Sequence, residues 1–164
     1  MGNFGSFTGT VMDIEDVPIG QHQESDCYKI YTVEQAPDQI VRFTVSPTTY
    51  FTDQAVVMPG DTVTGFYDAD APVILIYPPQ YSALVMSKEV PGQFTTVAQF
   101  DEQLISSDGS LQLLLDDDTP VFLPNGQPFN GSLANRDLIV TYSRTTRSIP
   151  AQTTPSRIVV LCRQ

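Results

Sequence analysis

Short runs in which valine, threonine, tyrosine and phenylalanine interleave with polar residues recur along the chain, and turn signals separate them. That pattern predicts β-strands. In the first half the runs are Ser6–Glu15 (SFTGTVMDIE), Tyr28–Glu34, Gln39–Val45, Thr62–Asp68 and Tyr81–Ser87. Helical periodicity is confined to one turn at Thr52–Met58. Strict alternation within Ser6–Glu15 puts Phe7, Gly9, Val11 and Asp13 on one face and Thr8, Thr10, Met12 and Ile14 on the other. Gly9 and Gly65 fall inside strand patterns, where glycine weakens pairing unless the backbone must bend or approach a neighbour closely. Met58–Asp61 (MPGD) supplies a tight turn before the next strand.

The second half repeats the plan. A long bent first strand runs from Phe94 (FTTVAQFDEQLISSDG) and ends in Ser107-Asp108-Gly109, a hairpin turn. SLQLLL and an Asp-rich corner follow. Asp137–Ser143 (DLIVTYS) then matches Asp61–Asp68, Ser156–Cys162 (SRIVVLC) matches Tyr81–Ser87, and Pro155 matches Pro79. Element order is the same in both halves, and Val90-Pro91-Gly92 joins them, which predicts a tandem duplication. A long first strand, a hairpin, a third strand, a short connection and two further strands is the order of an OB-like barrel. The expected fold is therefore all-β, with two tandem five-stranded OB-like barrels at residues 1–90 and 91–164. A single β-sandwich built from both halves is the alternative.

FTGTVMDI, MPGDTVTGFYD, IYPPQYSALV and LIVTYSRTTRSIPAQTTPSRIVVL together resemble a group of uncharacterised small Gram-positive bacterial proteins built from such barrels, many of them exported. The resemblance implies a fold and an extracellular or envelope setting. It implies no reaction, and no functional residue carries over from it.

Charge narrows the function classes. The chain of 164 residues is 41% hydrophobic and 16% charged, with a net charge of −11. It can build a core, and it repels a phosphate backbone, which argues against nucleic-acid binding. The charge is uneven: residues 136–164 hold five arginines against Asp137 alone. Neutralisation of nearby carboxylates is the plain reading of these arginines, and an anion-binding patch the sharper one. No run approaches the roughly 20 apolar residues needed to span a bilayer. The first residues, MGNFGS, lack a secretion-signal pattern and fit a myristoylation spelling without a second anchor. Asn130-Gly131-Ser132 spells a glycosylation sequon and reads as a turn. Cys27 and Cys162 have no metal-ligand or redox spacing and are expected as two separate buried thiols, with one disulfide joining the two halves as the alternative.

Catalytic chemistry is weakly signalled. The one histidine, His22, lies in a polar loop, and no nucleophile motif accompanies the serines. No cofactor is implied. Asp116 and Asp118 in LLLDDDTP are the weak metal candidates, because alternate strand positions share a face while adjacent ones do not. Asp68 and Asp70 in YDADAP have the same spacing.

The connection between the last two strands is more telling, because in OB-like barrels it flanks the usual binding face. The first-half version, ADAPVILIYPPQ, contains the longest apolar run of the chain, Pro72–Tyr77. That run is strand-sized and expected to be covered by the neighbouring barrel, a second copy or a ligand. The second-half version, SRTTRSIPAQTTP, carries Arg144 and Arg147. The leading reading is a non-enzymatic binding module for a protein or glycan, with Arg144, Arg147, Asp68, Asp70 and Tyr77 as ligand-binding candidates and a homodimer through Pro72–Tyr77 as an option. The alternatives are a glycoside hydrolase using two facing carboxylates, and a purely structural domain.

Overall fold

The computed structural model describes residues 3–17 and 27–162. The protein is all-β, with mixed sheets and no α-helix among the described residues. Two compact units divide the chain, Phe4–Glu89 and a second running from Val90.

The first unit contains β1 (Phe4–Val17), β2 (Tyr28–Ala36), β3 (Gln39–Val45), β4 (Tyr50–Phe51), a 3-10 turn at Thr52–Gln54, β5 (Thr62–Asp68), β6 (Gln80–Ser82) and β7 (Val85–Lys88). They form one sheet in the order β4-β7-β5-β1-β2-β3-β6. Inward positions alternate along β2 and β3, so Tyr31, Val33, Val41, Phe43 and Val45 meet Val11, Val63 and Met86 in the core. The simple alternation expected of β1 fails at Met12. The ladder to β2 shifts register between Val11 and Asp13, a bulge that adds one residue and reverses the faces beyond it. Asp13 is consequently exposed, and Ile14 packs on the core.

The sheets do not close into barrels, contrary to the sequence expectation. Its last predicted strand, Tyr81–Ser87, is two strands that serve different partners. β6 runs parallel to β3 and β7 antiparallel to β5. Between them the Ala83 N–H donates to Thr44 O (2.9 Å) and the Leu84 N–H to Phe66 O (2.8 Å), so the chain crosses from one partner to the other within two residues. Pro78 and Pro79 lack N–H groups, which keeps β6 short.

The second unit contains β8 (Phe94–Phe100), β9 (Leu111–Leu113), β10 (Val121–Phe122), β11 (Arg136–Tyr142), β12 (Ala151–Thr153) and β13 (Arg157–Leu161). Its main sheet runs β10-β13-β11-β8, and β12 pairs with β9 separately. Phe100, Leu111, Leu113, Leu138, Val140, Ile158 and Val160 form its core. Ile139 and Val159, which alternate with those side chains, are buried as well. Burial on both faces explains why LIV and IVV read as unbroken apolar runs rather than as alternation.

The two units use the same pairings in the same chain order. The first strand (β1, β8) is antiparallel to a later one (β5, β11), which is antiparallel to the last (β7, β13). A two-residue strand (β4, β10) runs parallel to the last, and the penultimate strand (β6, β12) runs parallel to β3 or β9. The units differ where β2 stands. Only the isolated bridges Phe100↔Ser106 and Ile105↔Gln112 occupy that place in the second unit.

Candidate functional site

The most exposed apolar side chains lie on the two loops that precede β6 and β12. The first loop leaves β5 at Asp68, whose carboxylate accepts the Asp70 N–H (2.9 Å) while its main-chain oxygen accepts the Ala71 N–H (3.2 Å). This is the turn that an Asp at a strand end favours. The chain then runs through Pro72 to Tyr77 without strand pairing. The side chains of this segment are exposed in the single chain: Ile74 is 73% and Leu75 96% exposed, and Val73, Ile76 and Tyr77 are exposed too. Fully burying an aliphatic side chain of this size yields about 1.5–3 kcal/mol, so the loop forgoes a sizeable stabilisation.

The loop is nevertheless tied down. The Tyr77 hydroxyl donates to Asp38 O (2.6 Å) at the β2–β3 turn, where Asp38 has φ 67°, a left-handed conformation that Asp tolerates. Tyr77–Pro78 is a cis peptide, and Pro79 O accepts the Arg42 N–H (2.9 Å), which starts the β3–β6 pairing. Tyr77 therefore has a structural duty for its hydroxyl while its ring stays accessible.

The second loop joins β11 to β12 and is braced by its own hydroxyls. Thr146 N–H donates to Gln152 O and Gln152 N–H to Thr146 Oγ1, both at 2.9 Å. Ser148 Oγ bonds Thr146 Oγ1 (2.6 Å) and donates to Pro150 O (2.8 Å), and Thr153 Oγ1 donates to Arg144 O. What this scaffold presents outward is Ile149, 95% exposed, together with the exposed Arg144 and Arg147. Among the described residues no ion pair joins either arginine to a carboxylate. Ile149–Pro150 is also cis. Both loops thus end on an exposed apolar residue, a cis proline and a short strand parallel to its neighbour. Pro78 and Pro150 occupy matching places, and Pro155, paired with Pro79 on sequence, instead follows β12.

The other candidates are accounted for by local structure. Asp116 Oδ1 accepts the Asp118 N–H (2.9 Å) and the Thr119 hydroxyl (3.1 Å), which closes a turn before β10 and leaves Asp118 as a turn residue. Among the described residues no group of three His, Cys, Asp or Glu side chains is placed to hold a metal ion. Cys27 and Cys162 are exposed rather than buried and form no disulfide, each lying just outside a strand end where no core face is available to it. His22 lies outside the described residues. No helix among the described residues is long and apolar enough to cross a membrane.

Sequence reasoning missed an open cleft of about 360 Å³ in the second unit, lined by Glu102, Leu104, Val121, Phe129, Asn130 and Leu133 among others. Its wall is stiffened by Arg136, whose guanidinium lies 4.8 Å from the Phe129 ring centroid and donates through Nε to Ser132 O (2.8 Å). No motif announces this cleft, because its lining comes from β10 and from the separate connections β8–β9, β9–β10 and β10–β11. Glu102 is the one carboxylate among its described lining residues, which do not supply the facing pair that glycoside hydrolysis requires. No family model matches the chain, and neither a curated protein nor a solved structure matches it.

Proposed function

We propose that the protein is a non-enzymatic binding module whose contact surface is the pair of loops before β6 and β12, carried on two OB-like units that arose by duplication. The matching order of pairings in the two units supports the duplication. The switch of Gln80–Lys88 from β3 to β5 supports an OB-like connectivity, with one strand bridging the two ends of the sheet. The single observation that carries the binding function is the exposed run Val73–Tyr77, with Leu75 at 96%. A side chain so placed contributes nothing to its own unit, while a loop fixed by Tyr77 and Pro78 loses little conformational freedom on binding. Aliphatic side chains match an apolar protein surface better than a glycan, which calls for stacked aromatic rings and dense polar contacts.

The test is an array of protein and glycan ligands probed with the full chain and with the double variant Leu75→Ser/Ile76→Ser. The reading expects protein ligands whose signal drops at least about tenfold in the variant, a loss of about 1.4 kcal/mol. Equal binding by both chains, or ligands restricted to glycans, counts against it.

A further inference from the structure

The two loops hold matching places in their units but carry opposite chemistry. The loop before β6 joins acids, Asp68 and Asp70, to the apolar run Val73–Tyr77. The loop before β12 joins Arg144 and Arg147 to a single apolar tip, Ile149. We infer that the loop before β12 of one copy docks on the loop before β6 of a second copy, so that the protein associates with itself through two different surfaces. The inference rests on the reading of these loops as the contact surface, and it names the partner.

Complementarity decides for this occupant. Arg144 and Arg147 are exposed cations without a carboxylate partner among the described residues, in a chain of net charge −11. An acidic patch beside an apolar surface is what they and Ile149 would fit, since opposite potentials steer an encounter and an apolar anchor holds it. Every copy supplies such a patch at the same concentration as the arginines. Both loops are braced by hydrogen bonds of their own, so docking costs little ordering. Contact between unlike surfaces is heterologous; it closes into a symmetric dimer or ring, or propagates as a chain. A patch of one loop on another lies at the small end of specific interfaces, below about 1,200 Å². The association is therefore weak, and because exposed charges guide it, salt weakens it further.

Sedimentation velocity over a wide range of protein concentration, at low and at high salt, tests this. Wild-type protein should gain mass with concentration, to a dimer or beyond, and lose it in high salt. Arg144→Glu/Arg147→Glu and, separately, Asp70→Arg/Leu75→Arg should each stay monomeric to concentrations at least about tenfold higher. Asp68 is left intact because its carboxylate shapes the turn. An equimolar mixture of the two variants should restore a 1:1 complex and nothing larger, because each retains one intact, complementary loop. Association of the arginine variant as strong as that of wild type overturns the inference and points to a symmetric contact through Val73–Tyr77. A wild-type chain that stays monomeric throughout, while Leu75→Ser/Ile76→Ser still loses an array ligand, overturns self-association alone. A monomer with no loop-dependent ligand overturns both readings.

Discussion

Gly65 on β5 lies directly beneath the ring of Phe43 on β3: a Cβ added at Gly65 would stand 2.5 Å from Phe43 Cζ. The Phe43 side chain is fully buried and belongs to the core of the first unit, so it has nowhere to retreat. Gly65→Ala should therefore destabilise the protein by about 1–3 kcal/mol, the usual cost of overpacking a filled core. Urea unfolding of Gly65→Ala, Phe43→Leu and the double variant checks the cause. If the ring is the obstacle, the double variant is markedly more stable than the sum of the single losses implies. Strict additivity would place the strain elsewhere.

A second expectation concerns acid. Asp108 Oδ1 accepts the Ser106 hydroxyl (2.7 Å), the Ser110 hydroxyl (2.7 Å) and the Ser110 N–H (3.0 Å), and these bonds, that from Ser106 foremost, hold its carboxyl below the ordinary value. Asp61 is lowered as well, first by the Met58 N–H and then by Lys88 against the desolvation that opposes them. A carboxyl with a folded value below its unfolded one binds protons more readily in the unfolded chain. Its stabilisation is complete above an unfolded value of about 3.9 and is lost as pH falls through the lower folded value. Asp108→Asn should thus be less stable than wild type at neutral pH, with a gap that narrows below about pH 4. Denaturation midpoints measured down the pH scale decide it; a gap that widens in acid contradicts the sign.

What was legible in the sequence followed from local rules. Gln39–Val45 and Thr62–Asp68 are strands at the predicted residues, and in Gln39–Val45 the alternation serves one buried face. Gly9 and Gly65 proved to be close approaches: a Cβ on Gly9 would lie 2.5 Å from Glu34 O, and a strand interior offers glycine few other uses. The MPGD turn formed as read, with Gly60 at φ 98° and the Met58 N–H on the Asp61 carboxylate (2.8 Å).

What was not legible depended on partners distant in the chain. The bulge at Met12 lies just past Thr10, where the pairing of β1 with β5 ends and that with β2 continues, and nothing within SFTGTVMDIE reports that handover. The apolar content of Pro72–Tyr77 argued for burial, yet the two prolines after it, the acidic turn before it and the Tyr77 tether to Asp38 O hold the run outside the sheet. Of the candidate site, the two loops were located from their place between the last strands. Their exposure and the cleft beside Glu102 required coordinates.

Thiol accessibility gives a direct check on one corrected expectation. Cys27 and Cys162 are both exposed and outside any disulfide, so a small thiol reagent should modify two groups per chain in the native protein without denaturant. A count of two only after unfolding would mean that one or both thiols are covered in solution. Cys→Ser variants at each position assign the two signals, and neither substitution should move stability by more than about 0.5 kcal/mol, the range of surface changes that break no packing.

Arg144 and Arg147 separate binding from stability most sharply. Both are exposed, and neither has an ion-pair partner among the described residues. The loop that carries them is held instead by Thr146, Ser148, Gln152 and the bond from Thr153 Oγ1 to the Arg144 main-chain oxygen, a bond that needs no guanidinium. Arg144→Ala/Arg147→Ala should therefore leave thermal unfolding within about 0.5 kcal/mol of wild type. Thr146→Val, which removes the hydroxyl that accepts the Gln152 N–H, should cost more, about 1 kcal/mol for an unmet hydrogen bond. Thermal and urea unfolding of the two variants side by side settle the order. The reverse ranking would make the arginines structural and remove the reason for looking to them for recognition.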